Sequence, residues 1–182
     1  MRIFCAFICC LTLAACSTAP VHRDADAPPL TTVERVDLTQ YTGRWYEIAR
    51  LPNRFEKGCE GVTADYALKD NGQISVINTC RKGGVDGKVK TAKGRARVVD
   101  AETNAKLEVS FFGPFWGDYW IIDLADDYSL SLVSEPKGRY LWILSRTPTI
   151  SDAVRSQAMT KLQSLGYDTQ ALYFTQQPPS SQ

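Results

Sequence analysis

Eight short segments with alternating apolar and polar residues follow one another along most of this chain, and turn residues separate each from the next. They cover residues 44–51, 61–68, 73–80, 90–99, 106–112, 118–124, 129–134 and 139–145. A period of two is typical of strands with one buried face. Because short loops join consecutive strands, we expect an antiparallel meander, and eight such strands can close into a barrel that holds one small ligand. The pattern therefore predicts an all-β, eight-stranded, antiparallel up-and-down β-barrel.

The first fifteen residues have the features of a secretory signal. Arg2 precedes an apolar run of about eleven residues, which is too short for a membrane span of roughly 20 residues, and small residues lead to Cys16. This arrangement resembles a bacterial lipobox, in which the cysteine is lipidated. We therefore predict a signal peptide at 1–15 and a lipid anchor on Cys16. The alternative is an ordinary signal peptide with an incidental cysteine.

Two of the six cysteines then remain in the folded part, Cys59 and Cys80. In an oxidising compartment two lone cysteines are expected to pair. The hairpin register that pairs Lys69 with Gln73 places Val62 opposite Cys80, so a disulfide requires the chain around Gly58 to fold back. Two separate thiols are the alternative.

Residues 16–32 are rich in Ala, Pro and Asp, and we predict a flexible tether there. It contains His22, the chain's only histidine, which argues against His-dependent catalysis and most zinc sites in the domain. The formal charge of +1 gives no basic stripe for nucleic acid. We expect no catalytic residues, no cofactor and no metal.

A helix is predicted only after the eight strands. Ser151 is a suitable N-cap, Ala158 and Leu162 belong to an apolar stripe, and Gly166 ends the pattern. The stripe is expected to pack on the outside of the barrel wall. The domain is thus predicted at 33–177, with a disordered tail at 178–182.

A family resemblance rests on three motifs. The stretch from Gly43 to Tyr46 resembles the Gly-x-Trp-Tyr signature of lipocalins, residues 126–128 resemble the second motif, and Arg146 in a Ser-Arg-Thr-Pro sequence resembles the third. The likeness extends from about residue 36 to 177 and is greatest to bacterial lipocalins. It implies that Gly43, Trp45 and Arg146 are structural residues, with Trp45 closing one end of the barrel beneath Arg146 as a cation–π contact.

The ligand site is then expected on the inward faces of the strands. Alternation selects eight lining residues, of which the resemblance supports the first, second and last most: Tyr66, Asn78, Val109, Phe111, Tyr119, Ile121, Tyr140 and Trp142. The carboxylates Glu47, Asp65 and Glu108 are expected outside or near the rim, without a paired arrangement.

The resemblance implies binding of a fatty acid or a lysophospholipid for transport or storage in the cell envelope. Ser17 after the lipidated cysteine favours anchoring at the outer membrane of a Gram-negative cell. Another hydrophobic ligand, such as haem or a pigment, is the alternative. Enzymatic activity is the least favoured hypothesis. The loop at 113–117 carries two aromatic residues, Phe115 and Trp116, and allows a homodimer.

Overall fold

The structure, a computed structural model, describes residues 22–179. Eight strands of five residues or more are followed by a helix and a two-residue strand. The elements are α1 (Leu38–Tyr41), β1 (Gly43–Arg50), β2 (Cys59–Leu68), β3 (Ile74–Lys82), β4 (Lys88–Val98), β5 (Lys106–Ser110), β6 (Gly117–Leu124), β7 (Leu130–Ser134), β8 (Leu141–Ser145), α2 (Asp152–Ser164) and β9 (Tyr173–Phe174).

The eight strands close into a barrel. Each pairs antiparallel with the next from β2 to β8, and β1 pairs with both β2 and β8. The short β9 adds to the end of β1. This architecture confirms the predicted eight-stranded antiparallel barrel, because every strand of the closed sheet has a neighbour on both sides.

The two ends of the barrel differ in their loops. At the end where β1 begins, α1 and three short turns cover the interior, and we call this the closed end. At the other end four connections surround an entrance, and we call this the open end. The open-end loops are residues 51–58, 83–87, 111–116 and 135–140.

The β2–β3 hairpin has the predicted register. The backbone N–H of Lys69 donates to the carbonyl of Gln73 at 2.8 Å, and Ala64 lies opposite Asn78. Gly72 has a φ of +77°, a left-handed conformation that glycine adopts without steric cost. The register therefore places the even-numbered residues of both strands on the inward face.

A bulge, rather than the expected fold-back, brings the two cysteines together. The pairing of β2 with β3 shifts between Glu60 and Thr63, and Gly61 has a φ of +55°. The extra residue reverses the alternation, so that Cys59 and Cys80 both face the barrel interior. Their Cα atoms are 5.4 Å apart and the sulfurs are bonded. The predicted disulfide is confirmed, whereas the predicted fold-back around Gly58 is wrong.

The helix α2 covers the outside of the barrel, as predicted. The Ser151 side chain accepts a hydrogen bond from the backbone N–H of Val154 and caps the helix. Ala158 and Leu162 are buried in an apolar cluster with Ile48 and Ile143 of the barrel wall. A second apolar cluster, centred on Trp45, fills the barrel interior at the closed end.

The chain preceding the barrel packs against it over the part that the structure describes. Arg23 forms a β-bridge with Tyr167, and the backbone N–H of Asp24 donates to the carbonyl of Gly166 at 2.8 Å. Leu30 is buried in the cluster beneath α2. Residues 22–32 thus lie on the domain, although the sequence predicts them as part of a tether. Cys16 and the predicted signal peptide lie outside the described residues.

Candidate ligand-binding cavity

A cavity of about 870 Å³ occupies the barrel and opens between the open-end loops. This volume lies within the range of roughly 300–1,000 Å³ that is usual for small-molecule sites. Aliphatic and aromatic side chains from five strands form most of its middle wall, including Val62, Val76, Ala92, Val109 and Trp142. The lower wall is equally apolar, with Ile74, Ala96 and Leu107. Such a surface favours a ligand with a long hydrophobic part.

Seven of the eight residues selected by alternation line this cavity. They are Tyr66, Asn78, Val109, Phe111, Tyr119, Tyr140 and Trp142. Ile121 does not line it, because that side chain lies two residues nearer the closed end than Tyr119 and is fully buried in the cluster around Trp45. Alternation gives the face of a strand correctly here, but the interior at the depth of Ile121 is filled by side chains.

Trp45 and Arg146 close the barrel at the closed end, opposite the cavity entrance. The indole is fully buried and donates from Nε1 to the carbonyl of Tyr41 at 2.8 Å. The Arg146 guanidinium carbon lies 3.8 Å from the centroid of the indole ring. Gly43 has a φ of +93°, and a Cβ there would lie 3.4 Å from the Arg146 guanidinium. A side chain at position 43 would therefore strain the backbone.

Three tyrosine hydroxyls meet at the bottom of the cavity. The Tyr119 hydroxyl lies 2.9 Å from that of Tyr41 and 3.2 Å from that of Tyr66, and Tyr41 also contacts Ser131 Oγ at 3.1 Å. Burial raises the pKa of Tyr41 to about 12 and also raises the pKa of Tyr66 and Tyr119. These phenols are neutral at physiological pH. Tyr41 was missed because it lies on α1 and not on a strand.

Two carboxylates and one arginine form a buried polar group in the wall. Arg50 forms an ion pair with Glu47 and lies 4.0 Å from Glu56, whose Oε2 accepts a hydrogen bond from Trp142 Nε1 at 3.0 Å. Glu47 is only 2% exposed. Burial first, and then the neighbouring Glu56, raise the pKa of Glu47, and these effects outweigh the opposing influence of Arg50.

The expected position of Glu47 outside or near the rim is therefore wrong. Glu47 shares the inward face of β1 with Trp45, and both line the barrel interior. Asp65 and Glu108 do lie on the outer surface, where they pair with Arg44 and Arg97 at 2.8 and 2.6 Å.

One unpaired polar atom faces the apolar wall. The side-chain oxygen of Asn78 is buried and has no hydrogen-bond partner in the structure. An unpaired buried polar group is costly, and a ligand with a polar group in the middle of the cavity would satisfy it.

Haem ligation has little support in this lining. Among the described residues that line the cavity there is no histidine or methionine, and the two cysteines are joined to each other. The tyrosine hydroxyls at the bottom bond to one another and resist ionisation. Within residues 22–179, no group of three or more His, Cys, Asp or Glu side chains is placed to hold a metal ion.

No helix in the described part of the chain is long and apolar enough to cross a membrane. The fold and the cavity together define a barrel that binds a hydrophobic small molecule.

Comparisons with known proteins agree with this class. Residues 36–177 match the lipocalin-like domain family. The chain is 45% identical over 177 residues to the outer membrane lipoprotein Blc of Escherichia coli K12, covering 93% of this chain and 98% of the relative. It is 37% identical over 180 residues to the Vibrio cholerae protein of the same name, covering 97% and 99%.

A solved structure shows the same fold. Insecticyanin from Manduca sexta superposes with a TM-score of 0.68 over 85% of this chain and 87% of that one, at 20% sequence identity. The chain belongs to the lipocalin family, and its resemblance to the bacterial lipocalins is confirmed. Members of this family are binding proteins, so this chain is a binding protein and not an enzyme.

Proposed function

We propose that this lipocalin binds fatty acids or lysophospholipids and carries or stores them in the cell envelope, where a lipid on Cys16 holds it at the outer membrane. The observation that carries the proposal is the cavity, whose lining is predominantly apolar and which opens between the open-end loops. An acyl chain placed in it gains about 0.8 kcal/mol for each buried CH₂ group.

The charges around the cavity support an amphiphile whose head lies at the entrance. Lys82 and Lys90 line the upper wall and can pair with a carboxylate or a phosphate. The bottom of the cavity offers only neutral phenols, and the basic residues of the lining, Arg54 included, lie towards the open end. We therefore infer that the acyl chain points towards Tyr119 and the head towards the two lysines.

The anchoring proposal rests on the sequence around Cys16 and on the relatives. Two proteins that cover nearly all of the chain are named outer membrane lipoproteins. Labelling cells with radioactive palmitate tests the anchor. We expect label on the wild-type protein in the outer-membrane fraction and none on a Cys16→Ser variant; label on neither protein would refute lipidation.

Native mass spectrometry of delipidated protein tests the ligand. The protein is mixed with palmitic acid, a lysophospholipid and haem in competition, and we expect the two lipids to bind in preference to haem. Preferred binding of haem would support the alternative ligand class, and binding of none of the three would contradict the proposal.

A matched pair of substitutions tests the location of the site. Val109→Trp fills the middle of the cavity and should weaken lipid binding at least tenfold. Val89→Trp makes the same change on β4, at a half-exposed residue that does not line the cavity, and should leave affinity unchanged. Equal affinities for the two variants would place the lipid elsewhere. Size-exclusion chromatography of the same samples tests the homodimer.

A further inference from the structure

The described part of the chain begins beside the open end of the barrel. The backbone N–H of Asp168 donates to the carbonyl of His22 at 2.9 Å. Tyr167, which pairs with Arg23, has its hydroxyl 2.6 Å from Ser134 Oγ at the open-end terminus of β7. A Cβ on Gly138, in the next loop, would lie 2.5 Å from Arg23 Cδ. His22 and Arg23 are therefore fixed at the level of the cavity entrance.

This position limits how far the entrance can be from the anchor. Only five residues lie between Cys16 and His22, and a chain from one to the other spans at most ~20 Å. A free tether over residues 16–32 would allow more than twice that distance. A lipid on Cys16 therefore holds the open end, and not the closed end, near the membrane surface.

The open end carries exposed aromatic rings. Phe112 and Phe115 in the loop between β5 and β6 are 79% and 76% exposed, and Phe55 in the loop between β1 and β2 is 62% exposed. Single exposed apolar residues are ordinary, but a group of them around one opening marks an interaction surface. Aromatic side chains of this kind enter the interfacial layer of a bilayer.

Charge favours the same orientation towards an anionic surface. The tip of the β3–β4 hairpin has Arg81, Lys82, Lys88 and Lys90 at the open end, with Asp86 as its acidic residue. The closed-end turns instead carry acidic residues: Asp70, Asp100, Glu102, Asp126 and Asp127. Basic residues near an anionic lipid surface add attraction, and the acidic turns would be directed away from it.

We propose that the open end of this barrel docks on an anionic phospholipid bilayer, with Phe55, Phe112 and Phe115 in the interfacial layer and the β3–β4 hairpin tip against the lipid head groups. The cavity entrance then faces the bilayer, so that an amphiphile can pass directly between the bilayer and the cavity. The limit on the distance between Cys16 and the entrance depends on the proposed lipid anchor, whereas the exposed aromatic and basic residues support docking without it. A second copy of the chain is a less suitable partner for this surface, because contact between two open ends would bring two basic hairpins together.

Vesicle binding by the mature-length chain with Cys16→Ser tests the surface without help from a covalent lipid. Vesicles of phosphatidylcholine with one quarter phosphatidylglycerol should bind it, and vesicles of phosphatidylcholine alone should bind it at least fivefold more weakly. Phe112→Ser/Phe115→Ser should reduce binding to the anionic vesicles at least tenfold. Lys82→Glu/Lys88→Glu should reduce it similarly and lessen its dependence on salt.

Residues at the closed end provide matched controls. Leu68 and Val99 are 51% and 50% exposed there, and Leu68→Ser/Val99→Ser should bind vesicles as the unsubstituted chain does. Lys69→Glu reverses one closed-end charge and should also have no effect. Equal loss in the open-end and closed-end variants, or equal binding to both kinds of vesicle, would overturn the proposal.

Two further measurements distinguish docking on a bilayer from an interface between copies of the chain and from a failure of the proposed function. If the chain is dimeric, binds no vesicles and becomes monomeric in Phe112→Ser/Phe115→Ser, the surface is an interface between copies and docking is refuted. Val109→Trp should lose lipid binding yet dock normally. Docking without any ligand binding would refute the proposed function alone, and ligand binding without docking would refute this inference alone.

Discussion

The guanidinium of Arg146 lies 3.8 Å from the ring of Trp45 and joins the end of the last barrel strand to the first. Its nitrogens donate to the carbonyls of Arg44, Gln40 and Tyr128. These acceptors belong to β1, to α1 and to the turn before β7, so one side chain connects three segments at the closed end. The pair stabilises the barrel and lies outside the lining of the cavity.

Replacing Trp45 by Ala should lower the free energy of unfolding by about 3–5 kcal/mol, because it leaves a large cavity in a filled interior. Urea unfolding measures this change. The order of preference among lipids should stay the same, since Trp45 does not line the cavity. Trp120→Ala is the control: that ring packs against Lys106 at 5.0 Å and is only partly buried, so a smaller loss is expected. Unchanged stability in Trp45→Ala would contradict the closing role.

Replacing Arg146 by Lys keeps the positive charge but removes the planar fork of donors. An ammonium group cannot reach three carbonyls and cover the indole at once, so we expect a loss of about 1–3 kcal/mol. Arg146→Ala should cost more than Arg146→Lys in the same urea titration. If lysine restored full stability, charge alone would explain the contact, and the directed hydrogen bonds would have no role.

Removing the disulfide should destabilise the domain without opening the closed end. Cys59 and Cys80 are 21 residues apart, and a loop of this length corresponds to about 3 kcal/mol in the chain-entropy description. Cys59→Ser/Cys80→Ser should therefore unfold at lower urea concentration than the wild type. Wild-type protein with dithiothreitol should match the double variant, which should itself be insensitive to the reductant. A reductant effect on the variant would point to another cause.

The sequence predicts the barrel well because alternation and turns are local signals. The Lys69–Gln73 pairing determines the hairpin register, and this register correctly places Tyr66 and Asn78 on the inward face. Alternation does not report depth, however, and for this reason Ile121 was assigned to the cavity although it lies in the filled closed end. Depth depends on how many side chains from other strands occupy the same level.

Contacts between segments that are distant in the sequence could not be predicted from local patterns. The composition of residues 16–32 predicts a tether, yet Leu30 is buried because α2 and the barrel wall provide an apolar groove for it. The meeting of Glu47 with Glu56 depends on the path of the loop after β1. The bulge at Gly61 likewise gives no clear signal in the sequence, although it decides how the cysteines meet.

The buried Glu47 should make stability depend on pH. Its raised pKa means that the folded protein holds a proton on this carboxyl where the unfolded chain has lost it. The folded state then binds more protons, so stability should fall as pH rises above the ordinary carboxyl pKa of about 4.3 and through the higher folded value. The slope can reach about 1.4 kcal/mol per pH unit for one group.

Glu47→Gln removes this titration and should flatten the dependence. Urea unfolding at pH 5, 7 and 9 should show the wild type losing stability relative to the variant as pH rises. Glu108→Gln, which removes a carboxylate from a surface pair with Arg97, should follow the wild type. If Arg50 instead kept Glu47 ionised at every pH, Glu47→Gln would be destabilised equally at all three values. Parallel curves would therefore show that the ion pair, and not burial beside Glu56, determines the charge of this carboxyl.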